Sequence, residues 1–421
     1  LKKPLLMKRF LSTIVLSIYL IIAYGQPLHC DGSRYLDSVF DEVSETLNIK
    51  FGENITISGE TKELLVDVFE PAGDAFTERP LLLLLHGGSY VGGNKESLHE
   101  ICRNYAQRGY VAATMSYRLF DGPLIPLPDS VALVEVVIQS VEDAYAGLRF
   151  FIDDSENGSN TFGIDADMIF LGGTSAGGIT AVNTAYLDEE DSIPDFMAEF
   201  IDPTFGLTGN SNDLTTIDPV IQGVLNFSGA TYNVSWLDEN DEPIFSAHDD
   251  GDNVVPYGVG FASPFFGIPL VSLQGSEAIA AKATELGIVN ELVTFENSLG
   301  HVSYFNNLGS DNAIEVLTKS SIFVEAIVCE GISSASNSLG LQTINAYPNP
   351  SSGLMTIEFD PAIDLKYLEV YNQLGQLVYT ASDFSSNIQI SKAETGSGLF
   401  FVKGKNSERI EIIQPLKILM N

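Results

Sequence analysis

The chain has 421 residues and a mass of 45.6 kDa, more than one ordinary small domain needs. Hydrophobic residues make up 45% and charged residues 18%, enough apolar material for a large core, so global disorder is excluded. With 56 Asp and Glu against 21 Lys and Arg, the net charge is -35, which excludes nucleic acid and anionic membranes as partners. That charge is unevenly spread. Residues 1–25 carry four basic side chains and no acid, residues 344–421 carry 6 basic and 8 acidic, and residues 26–343 carry 11 basic and 48 acidic. Three charge regimes suggest three separate jobs.

At the N-terminus, Lys8-Arg9 precede an apolar run, 10–23, and Ala23-Tyr24-Gly25 sets small residues around a cleavage site. This is the pattern of a secretory signal peptide over 1–25. The 14-residue run covers about 21 Å as a helix, short of the roughly 30 Å hydrocarbon core, so no stable membrane span is expected. An uncleaved anchor is the alternative. Three cysteines follow, Cys30, Cys102 and Cys329. Export favours one disulfide and one free thiol, and the sequence does not choose among the pairings. With no C-x-x-C or Cys/His cluster, neither a zinc site nor another cofactor is expected.

From 54 onward, strands and helices alternate. Residues 63–70 alternate with period two, as in an antiparallel hairpin with 54–58, and 81–85 fits a strand buried on both faces. A helix is predicted over 95–108, a strand over 110–117, a longer helix over 131–151 and a strand over 167–172. Strands at 220–227, 243–247 and 291–295 and helices at 274–287 and 311–328 complete the pattern. Such alternation predicts an α/β fold with a mostly parallel central sheet, whose ligands sit beyond the carboxyl ends of the strands.

The residues just after those strands carry the chemistry. Gly173-Thr174-Ser175-Ala176-Gly177 follows one strand. A G-x-S-x-G turn puts its serine on a sharp elbow, where flanking glycines avoid collisions, so Ser175 is the candidate nucleophile. The Ala176 N–H then lies at a helix N-terminus, favourable to negative charge. The loop 86–93, His-Gly-Gly-Ser-Tyr-Val-Gly-Gly, follows another strand and can bring backbone N–H groups to a developing oxyanion. Of the five histidines, only His248 and His301 follow Ser175, as the elbow order of serine, acid, histidine requires. His301, on a loop after the last predicted strand, is the candidate base, and His248 is read as structural. Among the carboxylates 249, 250 and 252, Asp252 is the candidate orienting acid and the others are expected to be solvated. A calcium site built from the three is the alternative.

On these motifs, with Tyr117-Arg118-Leu119 and the stretch 143–150 of the helix before the elbow, segment 30–330 of the expected catalytic domain 26–330 resembles the α/β-hydrolase carboxylesterases, near the branch with feruloyl- and acetyl-xylan-esterase-like and lipase-like members. The resemblance implies oxyanion donors at Gly88, Ser89 and Ala176, and an acid four residues after a histidine like His248, which is Asp252. Ser89 stands where a third glycine is usual, and Asp249 where a glycine usually follows the histidine. In this fold the acidic stretch 187–219 falls where lids are inserted, and the lone Trp236 is expected to wall the pocket or pack the core.

Residues 331–343 read as a Ser/Gly-rich linker. Beyond it, 344–421 offers short alternating strands at 355–359, 368–371, 377–379, 388–390, 399–402 and 409–413, predicting a small β-sandwich. Tyr347-Pro348-Asn349-Pro350 and the phrases at 371–379 and 397–402 resemble the C-terminal sorting domains of the type IX secretion system of Bacteroidota, though 415–421 continues past the last predicted strand. The expected protein is thus a secreted or cell-surface serine carboxylic-ester hydrolase. Its partners would be a small or polymeric neutral ester and the type IX machinery. A serine peptidase of the same fold and an inert surface-displayed binding protein are the alternatives.

Overall fold

In the computed structural model, residues 30, 32–188, 191–265, 267–331, 345–347, 351, 353–359, 365–372, 377–382, 387–405 and 416–420 are described. The expected signal peptide, the linker beyond Gly331 and the expected strand at 409–413 lie outside them.

The period-two segment is an antiparallel hairpin, β1 (Val43–Ile55) with β2 (Thr61–Pro71). Then come β3 (Arg79–Leu85), α1 (His99–Gln107), β4 (Val111–Met115), α2 (Ser130–Glu156) and β5 (Ile164–Thr174). Next are α3 (Ala176–Tyr186), the short α4 (Asp195–Ala198), β6 (Gly223–Phe227), β7 (Ala230–Thr231) and β8 (Ile244–Asp249). The segment closes with β9 (Val259–Ala262), β10 (Val271–Gly275), α5 (Ser276–Leu286), β11 (Asn290–Phe295) and α6 (Asp311–Glu330). Eight strands pair in the order β1-β2-β4-β3-β5-β6-β8-β11. β2 is antiparallel to both its neighbours, and the other pairings are parallel.

The five leucines of β3 explain the layering. Side chains alternate along a strand, so a continuous apolar run needs cover on both faces. Leu81, Leu83 and Leu85 pack with Leu133 and Val136 of α2, Val182 of α3 and Ile279 of α5. Leu82 and Leu84 face the other way, onto Ile101 and Tyr105 of α1 and Val316 and Val324 of α6. Each buried leucine contributes roughly 1.5–3 kcal/mol. β3 also lies between β4 and β5, so the strand order reverses there and a crevice opens beyond the carboxyl ends of β3 and β5.

A second sheet, β7-β10-β9, escaped the sequence reading because its strands are too short to display a period. It displaces the start of the helix expected at 274: Gln274 and Gly275 pair with Thr231 and Ala230 of β7 instead. Gly275 allows this because a Cβ there would lie 1.8 Å from the Pro256 carbonyl oxygen. Trp236 packs the core, 2% exposed, with Val134, Ile138, Leu187, Met197 and Leu207. Part of the stretch read as a lid is therefore held down by this cluster, and Ser211 in it accepts from Glu53 N–H of β1.

Cys30 and Cys329 form a disulfide across 299 residues, while Cys102 is free and buried. A cross-link closing so long a loop restricts the unfolded chain by on the order of 4–5 kcal/mol. Cys329→Ser is therefore expected to lower the Tm by roughly 5–8 °C in a calorimetric scan.

Acidity also has a structural cost. Burial, with repulsion from Asp188, Asp238 and Asp191, raises the Asp241 carboxyl to about 7, and burial beside Asp241 and Asp188 raises Glu242 to about 7. Between their ordinary values and about 7 the folded state holds more protons than the unfolded one, so stability falls as pH rises through that window. The Tm is expected to drop from pH 5.5 to pH 7.5, and Asp241→Asn to flatten the drop.

In the tail, β12 (Asn345–Tyr347), β13 (Leu354–Glu358) and β16 (Asn387–Ser391) form one sheet. β14 (Tyr367–Asn372), β15 (Leu377–Ser382), β17 (Gly398–Lys405) and β18 (Leu416–Met420) form another. Met355 and Ile357 from the first pack against Leu368, Val370, Val402 and Ile418 from the second, the arrangement of a sandwich. The final strand corrects the sequence reading: 416–420 does not run on past the sheet but pairs with β17.

Candidate active site

The crevice beyond β3 and β5 holds the elbow. Ser175 has φ 55° and ψ -118°, a sparsely populated conformation for a residue with a Cβ. Its neighbours make room. A Cβ on Gly177 would lie 2.1 Å from the Leu85 carbonyl oxygen, and one on Gly173 would lie 2.5 Å from the Gly177 carbonyl. The turn thus presses against the end of β3, and α3 starts directly behind the serine.

His301 reaches over from the loop after β11. Its Nε2 lies 2.6 Å from Ser175 Oγ, and its Nδ1 lies 2.6 Å from Asp252 Oδ2. An ionised carboxylate only accepts, so Nδ1–H donates to Asp252 and Nε2 is left to accept the serine hydroxyl. Burial alone would raise the Asp252 carboxyl, but hydrogen bonds from His248 and His301 outweigh it and bring it down to about 2. Ser175, Asp252 and His301, singled out from the sequence, are brought together in one hydrogen-bonded chain.

The other two acids of this loop are not free solvated neighbours, contrary to expectation. Asp249 is fully buried and accepts from Ser303 N–H at 2.9 Å and Ser303 Oγ at 2.5 Å. Asp250 accepts from the N–H groups of Asn297 and Ser298 at 2.9 and 3.1 Å. Asp252 Oδ1 takes Val254 and Val255 N–H. All six oxygens of the three carboxylates accept protein hydrogen bonds, an arrangement suited to fastening loops and not to ligating calcium. Asp250 and Asp249 hold the histidine loop on either side of His301. Asp249→Asn puts an amide where two donors point, and it is expected to lower kcat roughly 10- to 100-fold through a misplaced imidazole. Steady-state kinetics at an unchanged far-UV spectrum would check this.

Sequence reasoning assigned His248 no part in the site. Gly229 N–H fixes the Asn226 carbonyl, so the Asn226 amide donates to Ser276 Oγ at 3.1 Å. The Ser276 hydroxyl is then free to donate to His248 Nδ1 at 2.8 Å. The Nε2 proton is left for Val255 O at 3.2 Å and Asp252 Oδ2 at 3.3 Å. His248 thus braces the same carboxylate oxygen that His301 uses. Four-residue spacing to Asp252 was the only signal in the sequence, and Ser276 and Asn226 gave none.

The glycine loop after β3 abuts the serine, since a Cβ on Gly87 would lie 3.2 Å from Ser175 Cβ. Gly88, Ser89 and Tyr90 all have positive φ, at 131°, 55° and 62°. Ser89 therefore holds a conformation that the usual third glycine would adopt without strain. Among the described residues, the N–H groups of Gly88, Ser89 and Ala176 donate to no protein acceptor. His86 is buried, which lowers its pKa, and stacks on Tyr117 while Nδ1–H donates to Gly87 O.

Residues 66–231 match the BD-FAE family model, an α/β-hydrolase esterase family, and residues 345–418 match the secretion system C-terminal sorting domain. The chain carries an esterase-type α/β-hydrolase and a secretion-sorting tail. That tail marks it for export by the type IX system to the cell surface or the extracellular space. Among the described residues no helix is long and apolar enough to cross a membrane. No curated protein sequence matches. Among solved structures, native esterase 2 of the planctomycete Thermogutta terrifontis is similar at TM-score 0.45 and 19% identity, covering 70% of this chain and 95% of that one. Its apo form gives TM-score 0.44 and 20% identity, covering 65% and 94%.

Proposed function

We propose that the chain is a secreted serine carboxylic-ester hydrolase of neutral esters, with its catalytic domain at 26–330, a linker at 331–343 and the sorting domain at 344–421. The observation that carries this reading is the chain from Ser175 Oγ through His301 to buried Asp252, both links 2.6 Å, beside unpaired N–H groups. Ser175 Oγ attacks the ester carbonyl carbon while its proton passes to His301 Nε2, and Asp252 stabilises the imidazolium. The carbonyl oxygen becomes an oxyanion, met by the N–H groups of Gly88, Ser89 and Ala176. Collapse of the tetrahedral intermediate breaks the bond to the alcohol oxygen, which takes the proton from His301 Nε2 and leaves an acyl-enzyme. Water then attacks the acyl carbon, giving a proton to His301. Collapse releases the carboxylic acid and returns the proton to Ser175. The net charge of -35 favours neutral esters over anionic ones.

The hydrogen-bonded chain is intact, which favours a working enzyme over an inert display module. A fluorophosphonate probe tests the reading: a single adduct on Ser175 together with hydrolysis of short 4-nitrophenyl esters is expected. An unlabelled serine in folded protein would refute it.

A further inference from the structure

The oxyanion donors come from two pieces of chain that share no local structure. Gly88 and Ser89 lie on the loop after β3, and Ala176 opens α3. Gly88, Ser89 and Tyr90 hold consecutive positive φ angles of 131°, 55° and 62°. No regular helix or sheet holds such a run, and two of its three members carry a Cβ. Bonds to neighbouring elements must therefore keep it in place. Tyr117 OH donates to His86 O at 2.6 Å, and Phe120 N–H donates to Tyr90 O at 2.7 Å. Both tie the loop to the segment after β4, and neither reaches α3.

The link to α3 is made by one side chain. Tyr90 is 5% exposed, and its hydroxyl donates to the Ala176 carbonyl oxygen at 2.7 Å and lies 3.1 Å from Thr180 Oγ1. Among the described residues, every hydrogen bond between loop 86–93 and α3 runs through this hydroxyl. Tyr90 follows Ser89 directly, and Ala176 carries the opposing donor, so the bond joins the two halves beside the donors themselves. Burial pushes the phenol pKa up, which keeps the hydroxyl a donor wherever an imidazole base works.

We propose that Tyr90 is a positioning residue whose hydroxyl fixes the distance between the Gly88 and Ser89 amides and the Ala176 amide. The proposal rests on those amides meeting the oxyanion formed by attack of Ser175. Donors act within about 2.7–3.1 Å of an oxyanion, and a misplacement of about 1 Å can cost about 100-fold. The fold keeps its other supports without the hydroxyl. A phenyl ring would retain the edge contact with Tyr117, and Ala176 O would retain the Thr180 hydroxyl at 3.0 Å. What goes is the tie between loop and helix, which matters only once negative charge develops.

The test is Tyr90→Phe in the full chain. With 4-nitrophenyl butyrate, kcat is expected to fall about 10- to 100-fold, with KM changed by no more than about twofold. A short alkyl trifluoromethyl ketone supplies the second readout. Ser175 Oγ bonds to its carbonyl carbon, the hydroxyl proton passes to His301, and the carbonyl oxygen becomes the same oxyanion. Its Ki should rise by the factor by which kcat/KM falls, whereas damaged packing would raise KM and leave the two unmatched. Tyr90→4-aminophenylalanine, which returns an N–H donor to the same ring carbon, should restore kcat and Ki to within about threefold.

A change below about twofold in kcat and Ki, or a loss carried by KM, would overturn the proposal alone while the fluorophosphonate still labels Ser175 of the unaltered chain. So would a folded donor-bearing variant as impaired as Tyr90→Phe. Should Tyr90→Phe not fold, the donor-bearing variant decides, and a loss of about tenfold in kcat and Ki would overturn the proposal. No labelling and no hydrolysis by the unaltered chain would remove the hydrolase reading, and the role of Tyr90 with it.

Discussion

Ser175→Ala is expected to lower kcat for 4-nitrophenyl butyrate on the order of 10⁵- to 10⁶-fold, leaving only the background supplied by binding and oxyanion donors. The fold should be unaffected. Ser175 occupies φ 55°, which alanine tolerates no worse than serine, and its backbone N–H still donates to Phe227 O at 2.8 Å. The loss should appear in kcat with little change in KM, because the hydroxyl bonds to His301 and makes no apolar contact that holds the acyl group. A residual rate near that of the unaltered protein would mean that another group performs the attack. Fluorophosphonate labelling should vanish in parallel.

Asp252→Asn should cost about 10⁴-fold in kcat. An amide in place of the carboxylate turns one acceptor into a donor, so His301 loses the partner that keeps the proton on Nδ1. The consequence reaches further here, because Asp252 Oδ2 also receives the His248 Nε2 proton at 3.3 Å. An amide must turn its NH2 either toward these two imidazoles or toward the Val254 and Val255 N–H groups on the other oxygen, so one pair of donors loses its acceptor. Stability should change as well. The Asp252 carboxyl is held down at about 2, below its ordinary value of 3.8. Its contribution is therefore fully present above about pH 4 and lost as pH falls toward 2. Unfolding monitored from pH 5 to pH 2 should show a shallower acid transition in Asp252→Asn than in the unaltered chain.

Much of the architecture was legible because it depends on local pattern. The leucines at 81–85, the alternation at 63–70 and the glycines around Ser175 each encode a geometric demand that few other residues meet. His301 was accessible through chain order, since only two histidines follow the serine. What stayed hidden depends on residues distant in sequence. Asp249 looked like a solvated neighbour of Asp252, yet it is buried against Ser303, 54 residues on. Arg118 and Asp143 each sit in a recognisable local motif, but nothing local shows their buried ion pair at 2.8 Å, which ties the end of β4 to α2. The short strands of the second sheet carry no period, and no local pattern marks 416–420 as a strand that pairs with β17.

Length and charge acquire their meaning from that division. The sequence by itself determined the three charge regimes, the serine elbow and the acidity concentrated in 26–343, because composition and spacing are properties of the chain. Only the tertiary structure decided that Cys30 pairs with Cys329 and that His248 braces the acid. It also decided that apolar side chains from distant elements line a pocket beside Ser175. These are distances between side chains brought together by the packing of both sheet faces, and no local pattern specifies them.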